Sequence, residues 1–161
     1  MKNIIGIMAT TKDGVIGYQN SLPWHYPEEL EFFKNTTLNH TVIMGRKTYE
    51  ATPKSFLQYR NALVLSKNAN LKLDNAKVFY NLENCLEYIN NHSGTSKFFM
   101  VGGSEIADLF LTNNLISSFL LTEIKNSYNG DTYLKLSLFQ GWHKEIMTTT
   151  ENYNIYLLTK P

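Results

Sequence analysis

What most limits how this chain can fold is an alternation. Short apolar runs are separated by segments of helical character through the first two thirds, and apolar runs follow one another without helices in the last third. Parallel strands need a long crossover, which a helix supplies, whereas antiparallel strands can be joined by a short turn. Ile4 to Thr10, Thr41 to Met44, Asn61 to Ser66, Lys77 to Phe79 and Lys97 to Val101 have strand character. Between them, Pro27 opens a helix, Gly45-Arg46-Lys47-Thr48 turns into another, and Leu82 to Asn91 places Leu82, Leu86 and Ile89 on one stripe. Ser104 to Leu111 is a further helix that buries Ile106, Ala107 and Phe110. Proline suits a first helical turn, and the acidic residues after Pro27 suit the positive helix end. Ser117 to Ile124, Trp142 to Thr149 and Tyr153 to Thr159 are the late strands, with Glu151-Asn152 as a hairpin turn. Thr11 to Tyr26, punctuated by Asp13-Gly14, Gly17, Asn20 and Pro23, reads as a long structured loop. The expectation is a single α/β domain over residues 1–161, with a mainly parallel sheet closed by an antiparallel hairpin and no internal repeat.

At 161 residues and 43% hydrophobic content the chain can build its core without metals or disulfides, and its one cysteine, Cys85, has no partner to bridge to. Cys85 falls among Leu82, Leu86 and Ile89 and reads as a small core residue. A net charge of +1 gives no footprint for nucleic acid or an anionic membrane, yet leaves room for a local basic pocket. The run Ile4 to Ala9 is far too short to span a bilayer and no signal-cleavage pattern follows, so the cytoplasm is the expected compartment. Nothing demands a partner surface, and a monomer is expected. His25, His40, His92 and His143 lack metal-ligand spacing, so no metal is expected.

In open α/β sheets, ligands bind beyond the carboxyl ends of the strands. Gly45-Arg46-Lys47-Thr48, Ser66-Lys67 and Gly102-Gly103-Ser104 collect there. Strand, glycine, then helix leaves backbone amides open to phosphate, and two such places suit a ligand with separated phosphates. Each also fits a plain helix entry or a solvated basic pair, and neither a GxGxxG nor a Walker motif is present. Glu29 shares a helical face with Phe33, whereas Glu31 can pair with Lys34 at the surface. A carboxylate at the edge of an apolar face is either a boundary surface residue or a pocket group able to grip the N–H and amino group of a flat heterocycle. Thr122 is then a hydroxyl donor to that carboxylate, or an ordinary strand threonine. Arg60 offers a two-pronged fork for a carboxylate, or is a surface arginine.

Taken together, the segments Val15-Ile16-Gly17-Tyr18-Gln19-Asn20-Ser21-Leu22-Pro23-Trp24, Pro27 to Phe33, Val42 to Glu50, Arg60, Val64-Leu65-Ser66, Val101 to Ile106, Leu120 to Ile124 and Gly130-Asp131-Thr132-Tyr133 resemble the dihydrofolate reductase family, in the family's order and over nearly the whole chain. The resemblance implies an eight-stranded, mainly parallel mixed sheet with four flanking helices. It implies NADPH as cofactor and dihydrofolate as substrate, with hydride transfer to pterin C6 and protonation at N5, and antifolate inhibitors as further ligands. Glu29, supported by Thr122, takes the place of the pterin-pocket carboxylate, with Trp24 holding an ordered water and Leu22 on the closing loop. Ile7, Met8, Leu30, Phe33, Thr52, Leu57 and Val101 border the substrate, and Arg60 clamps the carboxylate of its tail. Met8, Ala9, Ile16, Gly17, Asn20, Leu22, Gly45, Leu65, Val101 and Ile106 border the cofactor. Arg46, Lys47, Ser66 and Lys67 receive the 2′-phosphate, while Thr48, Gly102, Gly103, Ser104 and the backbone of Glu105 approach the pyrophosphate. Asp131 is expected to bond to amides of the Thr11 to Leu22 loop, or to cap a turn.

Two departures stand out. Ala107 replaces an aromatic residue common in the family, which implies a roomier nicotinamide pocket and a weaker response to diaminopyrimidines. The stretch Thr52 to Arg60 lacks the family's usual Pro-Leu-Pro-Gly character, which affects the geometry of the folate tail. Pterin or pyrimidine reductases of riboflavin synthesis, a non-catalytic dinucleotide or folate binding module, and a purely structural domain are the alternatives. Substrate selectivity, turnover and ligand binding respectively separate them.

Overall fold

A computed structural model describes residues 2–161. The strands are β1 (Ile4–Thr11), β2 (Val15–Gly17), β3 (Thr41–Gly45), β4 (Asn61–Leu65), β5 (Lys77–Phe79), β6 (Phe98–Gly102), β7 (Ile116–Ile124), β8 (Thr132–Tyr133), β9 (His143–Thr149) and β10 (Tyr153–Thr159). The helices are α1 (Pro27–Thr37), α2 (Arg46–Ala51), α3 (Lys54–Leu57), α4 (Leu82–Asn91) and α5 (Ser104–Thr112), with a 3₁₀ turn at Leu136–Phe139. Eight strands form one sheet in the order β5-β4-β3-β6-β1-β7-β10-β9. Only β10 runs against its neighbours, pairing antiparallel with both β7 and β9. This is the expected mixed sheet with its late hairpin. The four expected helices are joined by a single extra turn, α3, which follows Pro53 and buries Phe56 and Leu57.

Strands β3, β4 and β6 are buried on both faces, as parallel strands covered by helices must be, and apart from Thr41 and the exposed Asn61 at their starts their composition is accordingly apolar. On β1, alternation sends Ile7 to the cluster with Phe56, Leu57 and partly buried Phe33, and Met8 to the opposite cluster with Ala107 and Phe110. Neighbours on a strand face opposite sides, so the Ile7 and Met8 side chains lie on the two faces of the sheet. In α4 the deepest positions are Cys85 and Ile89, with Leu82 and Leu86 packed beside them; burial pushes the Cys85 thiol up to about 12. In α5, Ala107, Phe110 and Leu111 are buried, while Ile106 is half-buried against Gly45, where a Cβ would lie 3.0 Å from Ile106 Cγ1. No helix is long and apolar enough to cross a membrane.

The segment expected as one long loop contains β2, which pairs with β8 into a separate small sheet. Strands of three and two residues are too short to show alternation, so their sequences carry no signal of this pairing.

Candidate active site

The burial of α1 is unusual for an amphipathic helix, because its two buried residues, Glu29 and Thr37, are polar. With Phe33 they stand at i, i+4 and i+8, a line about 12 Å long facing the sheet. Glu29 is 7% exposed, and burial alone pushes its carboxyl up to about 7. Phe33 stacks on Phe56 with ring centroids 5.1 Å apart. Beside Glu29 lies a cluster of Trp24, Tyr153, Ile124 and Ile155, with Ala9, Tyr26, Phe32 and Tyr128 against it. The Tyr153 hydroxyl titrates above its ordinary value, first through burial and then through the nearby charges of Glu28 and Glu29. The Trp24 indole N–H is buried without a hydrogen-bond partner among the described residues. A buried carboxylate and an unanswered N–H are groups that a flat, hydrogen-bonding ligand could engage.

Two expected contacts differ. Thr122 is buried on β7 between Ala9 and Ile155, yet no Thr122–Glu29 hydrogen bond exists among the described residues. Glu31 likewise forms no ion pair with Lys34 among the described residues, where the ion pairs are Arg46–Glu50 and Lys144–Glu123.

Arg60 is not a free fork. Its Nε donates to Thr37 Oγ1 (2.9 Å), one terminal nitrogen donates to Phe56 O (2.5 Å) and Gln58 O (3.2 Å), and the other donates to Lys34 O (2.5 Å). These bonds engage four of the five guanidinium N–H groups and leave one. The group also lies 4.1 Å from the Phe56 ring centroid, and partial burial lowers its pKa from the ordinary arginine value.

The second half of the site lies at the ends of β3, β4 and β6. The Gly102–Gly103 peptide is cis, and Gly102 has φ +105°, where a side chain is strained. A Cβ on Gly102 would meet Met8 Cε at 2.9 Å, and one on Gly103 would stand 3.2 Å from Thr48 Oγ1. The bare backbone entering α5 therefore faces the Thr48 hydroxyl across a gap that any side chain would narrow. An open hollow of about 450 Å³ adjoins, lined by Asn20, Arg46, Lys47, Glu50 and Ala51. Arg46 donates to both Glu50 carboxylate oxygens there, and both side chains stay about half exposed. Ser66 closes the end of β4, with Oγ accepting from Asn68 N at 3.1 Å, and Lys67 is exposed. Cations, hydroxyls and open backbone form a donor set that fits a phosphorylated dinucleotide.

Ile16, Gly17 and the exposed Leu22 belong to the loop that bridges the two halves. Its position is set by Asp131, which accepts from Gln19 N at 2.9 Å and donates its own N–H to Gly17 O at 3.0 Å. The Gln19 N–H lowers the Asp131 carboxyl pKa, with the Thr132 hydroxyl as the next cause. Tyr153 beside the carboxylate and Glu50 in the basic hollow do not stand out as site residues in the sequence. Tyr153 carries no local signal, whereas the i, i+4 spacing of Arg46 and Glu50 could have revealed their pairing.

The family model described as dihydrofolate reductase matches residues 3–158. The dihydrofolate reductase of Mycoplasma genitalium is 34% identical over 157 residues, covering 95% of this chain and 96% of that protein. The bifunctional dihydrofolate reductase-thymidylate synthase of Paramecium tetraurelia is 36% identical over 91% of this chain, which spans only 31% of that longer protein. Among solved structures, dihydrofolate reductase from Enterococcus faecalis complexed with NADP(H) and RAB-propyl superposes with a TM-score of 0.78 at 27% identity, covering 98% of this chain and 94% of that one.

Proposed function

The chain belongs to the dihydrofolate reductase family, and from that premise we propose how its own residues carry the family's reaction. Its activity is the NADPH-dependent reduction of dihydrofolate to tetrahydrofolate. The observation that carries the residue assignment is Glu29: a buried carboxylate with a pKa near 7, on the sheet-facing side of α1 one turn before Phe33.

Glu29 holds the pterin by its ring N–H and amino group, and the Trp24 N–H completes the polar opening with a water. A carboxyl poised near neutrality can keep a proton available to the ring, which raises the readiness of N5 to be protonated as hydride reaches C6. Ile7, Leu30, Phe33, Thr52 and Leu57 form the walls, and the p-aminobenzoyl tail follows the line of α1 toward Arg60. When bound, NADPH supplies the hydride. Gly45, Thr48, Gly102, Gly103, Ser104 and the Glu105 backbone face its pyrophosphate, and Arg46, Lys47, Ser66 and Lys67 its 2′-phosphate. Ala9, Leu65, Val101 and Ile106 border the cofactor, and Met8 supports its glycine cradle from the opposite sheet face. Ile16, Gly17, Asn20 and Leu22 close over it and exclude water, held by Asp131.

The inhibitor-bound Enterococcus relative supports antifolates as ligands of the same pocket. The continuous sheet supports one domain over residues 1–161, and the buried free thiol of Cys85 suits a reducing cytoplasm. A monomer is our assignment, checked by sedimentation. Steady-state NADPH oxidation with dihydrofolate tests the whole reading: the protein turns over and Glu29→Ala loses most activity, whereas an undiminished variant removes Glu29 from the mechanism.

A further inference from the structure

Trp24 stands in the irregular stretch between β2 and α1, where neither it nor His25 makes a backbone hydrogen bond among the described residues. Its indole is nevertheless buried, at 5% exposure, and the indole N–H has no partner there. Side chains, not backbone, therefore fix this ring. Tyr128, in the connection between β7 and β8, packs against the indole with ring centroids 5.9 Å apart and planes at 57°. That connection is irregular too, and Lys125, Asn126, Ser127 and Asn129 around Tyr128 are exposed. What ties Tyr128 down is its hydroxyl, 2.7 Å from the Tyr26 hydroxyl across 102 positions of chain. Tyr26 is held from three sides. Its hydroxyl oxygen accepts from Asn126 Nδ2 at 2.9 Å, its ring lies 6.5 Å from that of Tyr153 on β10, and its carbonyl accepts from Leu30 N of α1 at 3.1 Å.

We propose that Tyr26 and Tyr128 are positioning residues that act through Trp24: their hydroxyl pair holds the Tyr128 ring against the indole and so fixes the direction in which the indole N–H points at the substrate side. The proposal rests on the assignment of Trp24 to a water at the pterin. A tryptophan ring has one donor and no acceptor, so an indole that tilts takes its whole hydrogen-bonding capacity with it. Without the hydroxyl bond, Tyr128 is free to move with its exposed connection and the indole loses its brace. Asp131 acts at a different place. It binds Gln19 N and Gly17 O on the far side of Pro23, so the tie on the cofactor-covering loop and the brace on the indole are separable.

Tyr26→Phe, Tyr128→Phe and the double variant test this, each in a Trp142→Phe background that leaves Trp24 as the one tryptophan of the chain. Hydride transfer from NADPH to dihydrofolate is followed before the steady state, NADPH affinity by calorimetry, and the indole by its emission and anisotropy. Each single variant is expected to slow hydride transfer about two- to tenfold, the scale of one neutral hydrogen bond. Trp24 anisotropy should fall with it, while the Kd for NADPH stays unmoved. The double variant should be no slower than Tyr26→Phe alone, because both changes remove the same bond. Unchanged hydride transfer, additive effects in the double variant, or slowed transfer with an unaltered indole signal each overturn the proposal. NADPH binding weakened in step with the rate would mean that the pair acts on the loop and would overturn it too. Trp24→Phe separates the two levels of assignment. If that variant is slowed and the tyrosine variants are not, the positioning role fails and the Trp24 assignment survives; if it transfers hydride at the wild-type rate, the assignment fails and the proposal with it.

Discussion

Glu29 and Glu50 both lie on helices at the rim of the site, yet their surroundings give them opposite chemistry. Glu29 sits in the first turn of α1 near Tyr153, has no cationic partner among the described residues, and is held near neutrality by burial. Glu50 sits at the end of α2 in an open hollow, about half exposed, and is paired with Arg46. Desolvation dominates where water is excluded, while at the surface a matched pair gains little because water screens it. The substrate half of this site thus depends on a few buried groups, and the cofactor half on many weak, exposed ones.

The largest expected effect breaks the buried side of that contrast. Glu29→Ala should lower turnover by about 10²–10⁴-fold, the usual span for a positioned acid or base, in the steady-state assay. In the wild type, the rate limited by hydride transfer should fall above about pH 7 as Glu29 loses its proton. Gly102→Ala comes next. At φ +105° the new Cβ is strained and crowds Met8, so it should cost about 1–3 kcal/mol in denaturant unfolding and weaken NADPH binding measured by tryptophan fluorescence.

The third prediction sharpens the comparison through pH. The folded Glu29 carboxyl titrates above its unfolded value of 4.5, so the folded state holds the extra proton between there and about 7. Its contribution is fully present below the lower value and is lost as pH rises through the upper one. Glu29→Gln removes that loss, and should stabilise the protein at pH 9 by roughly 3 kcal/mol relative to its effect at pH 4. Smallest is Arg46→Ala, expected to change stability by less than about 1 kcal/mol, while its several-fold loss of NADPH affinity should shrink as salt rises.

Ala107 shows what packing adds to the sequence reading: it is fully buried in the cluster that also holds Met8, Met100 and Phe110. An aromatic restored there meets packed side chains, and overpacking of this kind costs about 1–3 kcal/mol. The elements themselves were legible because their periods are local: β1, α1, α4, α5 and the late hairpin announce themselves within windows of about a dozen residues. The β2–β8 pair was not, since it joins residues more than a hundred positions apart through strands too short to alternate.

The chain's own order of residues determined the α/β alternation, the glycines at the ends of β3 and β6, and the carriers of chemistry Glu29, Arg60, Arg46 and Lys47, because residue type and spacing are local properties. Tertiary structure alone decided that Glu29 is desolvated to a pKa near 7 and that Arg60 keeps a single free N–H on a buried threonine. It also decided that Met8 turns away from Ile7's cluster and that Asp131 ties down the loop at Gln19. Burial and hydrogen bonding act through space between segments distant along the chain, and one-dimensional spacing carries no measure of either.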